Sequence, residues 1–391
     1  VKLLGQTSLY AIIMQRQKMV MLGILRVIQI SVSHGMSGPS AYAFAMFGAI
    51  LCVLGNREEG CRYGRLAVEL IRKFPQNETY ARTLTISHSM VIHLKEPLRD
   101  CVPFFGKAFE CGLASGNIEI AMVAAAAFGS ASFYLGKRLD KVATEMENLQ
   151  NRLSDFNQTW SLVKITRPYW QIALNLMGKT QHRDILTGPA MNERELFEES
   201  NAAGHQILLF VLLAVKMTAC VYFEAWDDAR KASIVMEEKL ALMMRSHFLY
   251  LIFQFYEAVS CFEINRLSGE RKLLLQARKI MKSLQSYEKE GCENVRPYLC
   301  ALQAESVAAK TECGPAIETA FDHAILHASS LPHLSALLNE RAAKALQRSS
   351  NSNSTRAMEL YAQHAIAGYT QWGATRKAEE VKAHFERNEE D

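Results

Sequence analysis

A chain of 391 residues exceeds what one hydrophobic core ordinarily organises, about 250–300 residues, so two domains or one elongated array is expected. Hydrophobic residues at 49%, charged residues at 21% and only 9 prolines exclude a disordered chain. The net charge of +4, with Lys and Arg interspersed among Asp and Glu, gives no electrostatic case for nucleic acid or an anionic membrane.

Helix formers dominate the chain, and alternating β-branched text is nearly absent, so helix is expected throughout. The apolar N-terminal stretch LYAIIMQRQKMVMLGILRVIQISV is broken by Arg16, Lys18 and Arg26, which an isolated membrane-spanning helix tolerates poorly. No signal-peptide cleavage pattern follows Val1, and a segment of a longer protein is expected. Next comes SHGMSGPSAYAFAMFGAILCVLG, where Ser37 or Ser40 caps a helix starting near Pro39 and Gly55 ends it in a left-handed conformation. Leu54-Gly55 recurs as Leu135-Gly136, and 135 − 54 = 81 is two units of about 40. Between them lie a turn near Lys95 and a second turn at Gly116-Asn117, followed by an Ala-rich helix.

Residues 178–200, with Gly188-Pro189 and several charges, break the pattern and read as a long connection between two sub-stacks, 1–185 and 186–391. HQILLFVLLAV, 205–215, runs about ten apolar residues before Lys216, against the roughly 20 a bilayer requires. Turns near 224, 267 and 312 then step by about 44, and His323-Ala324 maps onto His364-Ala365. At the end of the chain, Tyr361, Ala365, Gly368 and Trp372 share one helical face, Gly373 is the left-handed terminator, and Thr375 opens a polar capping helix. The expected fold is all-α, a right-handed superhelical stack of about fourteen to sixteen antiparallel helices of the tetratricopeptide-like α-solenoid kind.

Motifs for chemistry are missing from the text. MGKTQHR, 177–183, holds a Gly-Lys-Thr, but position 173 is Ala where a phosphate loop needs Gly, and no strand precedes it. His88 and His93 are five apart rather than four, and His34, His323, His327 and His333 read as scattered, without a Cys/His metal pairing. The carboxylate pairs Asp227-Asp228, Glu237-Glu238 and Glu379-Glu380 read as solvated helix faces, and neither a GxSxG elbow nor a dinucleotide fingerprint occurs. Aromatic-rich RPYWQIALNL (167–176) and HFLYLIFQFYEAV (247–259) read as core, with a peptide groove on a concave face as the alternative. Nine cysteines, without a CxxC pair and mostly in apolar text, point to reduced, buried thiols in a cytoplasmic setting. No catalytic residue, cofactor or metal is expected.

Several stretches in order, SHGMSGPSAYAFAMFGAIL (33–51), EGCRYGRLAVEL (59–70), LKEPLRDCVPFFGKAFECGLASGNIEIA (94–121), QIALNLMG (171–178), IETAFDHAI (317–325) and YTQWGATRKAEEV (369–381), resemble the helical-repeat region of large multidomain signalling ATPases of the AAA or STAND type. The terminal Trp372-Gly373-Ala374 with Lys377 is the most specific piece, and a shortened 180–200 connection departs from the family. The resemblance implies a non-catalytic regulatory array between an ATPase switch and an output module such as a histidine or serine/threonine kinase. Its partners would be those domains or a signalling protein, with no membrane span. The alternative it leaves open is the inducer-binding array of an ATPase-type transcriptional regulator.

Overall fold

The computed structural model describes residues 17–74, 79–155, 161–239, 242–349 and 355–386; Val1 and Arg16 of the N-terminal stretch lie outside them. Among the described residues there are eighteen α-helices, a few short 3-10 segments and no strand. The first six helices are α1 Gln17–His34, α2 Gly38–Val53, α3 Arg57–Lys73, α4 Tyr80–Met90, α5 Leu98–Ala114 and α6 Ile118–Tyr134. They are followed by α7 Leu139–Ser154, α8 Arg167–Leu176, α9 Glu193–Ala202, α10 Gln206–Tyr222, α11 Trp226–Lys239 and α12 Phe248–Ser268. The last six are α13 Arg271–Lys289, α14 Arg296–Ala308, α15 Gly314–His327, α16 Pro332–Gln347, α17 Thr355–Trp372 and α18 Thr375–Glu386. No described helix is long and apolar enough to cross a membrane.

Successive helices pack in pairs, α2 on α3, α4 on α5, α7 on α8, α14 on α15 and α16 on α17. Small residues set the closeness of these pairs. A Cβ on Gly48 of α2 would lie 2.7 Å from the Gly60 carbonyl of α3, and one on Gly368 of α17 would lie 2.9 Å from Ala336 Cβ of α16. Local signals place the helix ends. Ser37 precedes α2 and Pro39 sits in its first turn; Ser40 Oγ accepts the Ser37 amide at 3.0 Å and shares a 2.7 Å hydrogen bond with Ser31, so both serines serve. Gly55 and Gly136, at φ of 91° and 77°, each follow a helix in the left-handed region that a side chain disfavours.

The connection after α8 is real but ends at Asn192, whose side chain caps α9 by accepting the Arg194 and Glu195 amides. Residues 193–200, expected to be part of it, are helical because that cap and the early Glu193 and Glu195 favour a helix start. The loop itself is tied down. Asn175 donates to the Arg183 and Ile185 carbonyls at 3.0 and 2.8 Å, and Gln171 accepts the Ala190 amide at 3.0 Å. Buried Lys216 donates to the Asp184 carbonyl at 3.0 Å and pairs with Glu193 at 3.0 Å.

The chain divides into two compact units, each discontinuous in sequence. The first takes 1–128 with 241–250 and 290–294; the second takes 129–240, 251–289 and 295–391. In the first unit the distant segments are bonded to the turn before α5. His93 Nε2 donates to the Ser246 carbonyl at 2.9 Å, Asn294 donates to the His93 and Glu96 carbonyls at 2.6 and 2.8 Å, and Arg57 pairs with Glu290.

The second unit has an aromatic core. Phe133, Tyr134, Tyr169, Tyr222, Phe255, Tyr256, Tyr369 and Trp372 are all essentially buried, with neighbouring ring centroids about 5–6 Å apart, the spacing of favourable edge and tilted contacts. Tyr134 of α6 hydrogen-bonds Thr218 of α10 at 2.7 Å, and Tyr222 of α10 donates to the His333 carbonyl of α16. Contacts in this unit therefore reach well beyond successive helices.

Candidate functional site

The terminal motif lies inside the second unit. Trp372 is 1% exposed, packs against Phe133, Tyr222 and His333, and its indole nitrogen donates to the Lys137 carbonyl at 3.0 Å. Its inward partners Tyr361 and Ala365 are buried, as the four-and-three spacing requires. Gly373 takes φ 94°, the Ala374 amide bonds back to the Tyr369 carbonyl at 2.8 Å, and the buried Ala374 leaves no room for a larger side chain. Lys377 is buried too, its ammonium 2.8 Å from Glu340 and 5.9 Å from the Tyr369 ring centre. Trp372, Ala374 and Lys377 are thus buried within the unit, and half-buried Gly373 ends the helix between them.

Charges buried in this unit are compensated. Burial pushes Glu340 up, but Lys344 at 2.6 Å and Lys377 at 2.8 Å outweigh it and hold the carboxyl well below its ordinary range, while Tyr369 donates to its other oxygen at 2.7 Å. Glu263 behaves alike: burial raises it, and the Arg341 and Arg348 charges bring it far down. An acid held ionised by two cations is a poor proton donor, so these clusters read as structural.

Gly-Lys-Thr at 178–180 is a helix terminus. Gly178 stands at φ 76° behind α8, and the Gly178 and Lys179 amides donate to the Asn175 and Leu174 carbonyls at 3.1 and 2.9 Å, leaving no ring of free amides for a phosphate. His88 and His93 are both buried; His88 donates to the Leu84 carbonyl at 2.8 Å and stacks on Phe104. Burial lowers both imidazoles to about 4, which keeps them neutral. Asp228 pairs with Lys231 at 2.9 Å, and Glu237 and Glu238 are exposed. The aromatic stretches 167–176 and 247–259 are core: Tyr169, Phe248, Phe253, Phe255 and Tyr256 are at most 3% exposed.

An open groove of about 550 Å³ runs between α13 and α14 of the second unit. The sequence of α13 explains it. Leu273, Ala277, Ile280, Leu284 and Tyr287, spaced four and three apart, face inward, which leaves Leu275, Arg278, Lys279 and Lys282 on the outer surface. Lys310, just past α14, adds a fourth cation, with Gln285 and Ser306 as polar wall. Among the described residues no carboxylate pairs with any of these cations, although most other basic residues on this unit have one, as Arg230 has Glu270 at 2.6 Å. Leu275, 63% exposed, supplies an apolar contact beside them. Composition hid this site, because a balanced net charge conceals a local run of one sign; the spacing Arg278, Lys279, Lys282 was its signal.

Folding also gathers a group that reads as scattered. Cys300 of α14 meets His323 and His327 of α15, with one donor atom of each within 4.8 Å of the others. The four-residue interval between the histidines marks a shared helical face, but nothing in the text ties position 300 to it.

Compared with known proteins, the chain matches no family model and no curated protein significantly.

Proposed function

We propose that the chain is a non-catalytic helical scaffold whose second unit binds an acidic peptide segment of a protein partner in the groove between α13 and α14. The observation that carries this reading is the set of four cations, Arg278, Lys279, Lys282 and Lys310, facing one groove and in no ion pair among the described residues. Unneutralised like charges beside an exposed leucine favour a ligand that brings carboxylates and an apolar side chain together. Within each unit, a right-handed tetratricopeptide-like winding of the helix pairs is part of this proposal, supported by the packing of successive helices against each other. Its place as a cytoplasmic regulatory region beside an ATPase and an output module rests on the sequence resemblance alone.

Fluorescence anisotropy with a labelled peptide of mixed Glu and Leu tests the groove. Binding should appear at low salt, weaken as salt rises, and vanish in the Lys279→Glu/Lys282→Glu variant; equal binding by that variant would refute the reading. Titration with ATP and Mg²⁺ tests the non-catalytic assignment, and micromolar nucleotide binding would contradict it. The groove volume also lies in the range of small-molecule pockets, about 300–1,000 Å³, so a small anionic inducer is the second reading. Native mass spectrometry showing a stoichiometric bound small molecule would favour it.

A further inference from the structure

We propose that Cys300, His323 and His327 form a binding site for a divalent transition-metal ion, with Zn²⁺ the best match to the donor set. The site is separate from the groove and does not depend on how that groove functions. His323 and His327 are one helical turn apart on α15, and their ring centroids are 4.6 Å apart. Cys300 comes from the helix packed against them, so the donors belong to two elements held in fixed register.

Distance and chemistry both fit. A tetrahedral zinc with Zn–S of about 2.3 Å and Zn–N of about 2.0–2.1 Å needs donor atoms roughly 3.3–3.6 Å apart. Closing from 4.8 Å takes small rotations of two imidazoles, and His323 is exposed and His327 half-buried, so both are free to turn. One thiolate and two imidazoles suit zinc and are wrong for magnesium or calcium, which require oxygen. Three protein ligands leave the fourth tetrahedral position to a water molecule. On ligation the Cys300 S–H bond breaks, the sulfur keeps the electron pair for the metal, and the proton leaves to solvent.

The test uses the whole chain, stripped of metal with a chelator and titrated with Co²⁺ or Zn²⁺ alone. Co²⁺ should bind at one equivalent with a thiolate-to-metal charge-transfer band, and Cys300→Ser should abolish that band. His323→Ala and His327→Ala should each weaken Zn²⁺ binding by about 100-fold, since a lost ligand costs no less than the 10–100-fold of a lost outer-shell partner. Cys313→Ser, which removes the exposed thiol, should change neither readout. A Co²⁺ spectrum without the thiolate band, a band that survives Cys300→Ser, or Zn²⁺ affinity unchanged by both histidine variants would overturn the proposal. Should Cys300→Ser not fold, the two histidine variants decide alone, because neither side chain is buried.

Discussion

Arg341 grips Glu305 with two parallel hydrogen bonds, Nε to Oε1 and Nη2 to Oε2, both at 2.7 Å, and the same Nη2 reaches Glu263 Oε1 at 2.6 Å. All three side chains are at most 5% exposed, so neither carboxylate has water to fall back on. Replacing Arg341 with Ala leaves buried Glu305 without its cation, while Glu263 keeps Arg266 at 2.8 Å and Arg348 at 3.6 Å, and should lower stability by about 3–5 kcal/mol. Lys at this position has one ammonium for two acids and cannot reproduce the fork, so Arg341→Lys should remain clearly destabilised. Urea denaturation followed by tryptophan emission measures both; a wild-type midpoint for Arg341→Lys would show that the fork is unimportant.

Trp372 combines ring burial with one directed bond, and two substitutions separate them. Trp372→Phe keeps most of the packing but loses the donor to the Lys137 carbonyl, and should cost about 1 kcal/mol. Trp372→Ala empties the space between Phe133, Tyr222 and His333 and should cost about 3–5 kcal/mol. Thermal melts of the two variants check the order and the gap.

Gly136 and Gly269 form a matched pair, with φ of 77° and 72°. A Cβ at 269 meets nothing within 4 Å, whereas one at 136 would lie 2.7 Å from Pro332 Cδ. Gly269→Ala should therefore show only the left-handed backbone penalty, about 1–2 kcal/mol. Gly136→Ala should add about 1–3 kcal/mol of overpacking, and equal losses in chemical denaturation would argue against a tight junction there.

Acid should open the first unit before the second. Burial lowers His88 and His93 to about 4, each partly opposed by a backbone carbonyl; burial, helped by His93, lowers His247 to about 3; and burial alone lowers His333 to about 3. In the unfolded chain these rings protonate near 6.5 while the folded ones stay neutral. Their contribution is thus complete above pH 6.5 and is lost as pH falls toward 4, at about 1.4 kcal/mol per pH unit for each ring. Three of the four belong to the first unit and only His333 to the second. The depressed carboxyls Glu263 and Glu340 stabilise the second unit above their ordinary 4.5, and that support fades only below it. The first unit has no tryptophan, so between pH 6 and 4.5 helical circular dichroism should decline before tryptophan emission shifts. Coincident transitions would mean that the buried histidines do not set the order.

Local chemistry was legible where it acts within a few residues. Ser37, Pro39 and Gly55 bound α2, Gly373 ends α17, and Tyr361, Ala365 and Trp372 point inward, because caps, φ and helical period are properties of short stretches. The turn near 224 was legible but its conformation was not: Glu224 takes φ 59° where other helices have glycine, and its pairing with Lys344 at 2.8 Å, 120 residues away, gives no local sign. Segments 241–250 and 290–294 likewise join the first unit through His93 and Asn294, whose partners lie 150 to 200 residues off in sequence.

The amino-acid order by itself determined that the chain is helical, where most helices begin and end, and which faces turn inward, since each follows from propensity, capping and a 3.6-residue period. Only the tertiary structure decided which faces meet. The basic groove between α13 and α14, the meeting of Cys300 with His323 and His327, and the Arg341 fork between Glu263 and Glu305 all depend on how separate helices are set side by side. Packing of that kind is settled by the shape and volume of side chains from many helices at once, which no single stretch of sequence contains.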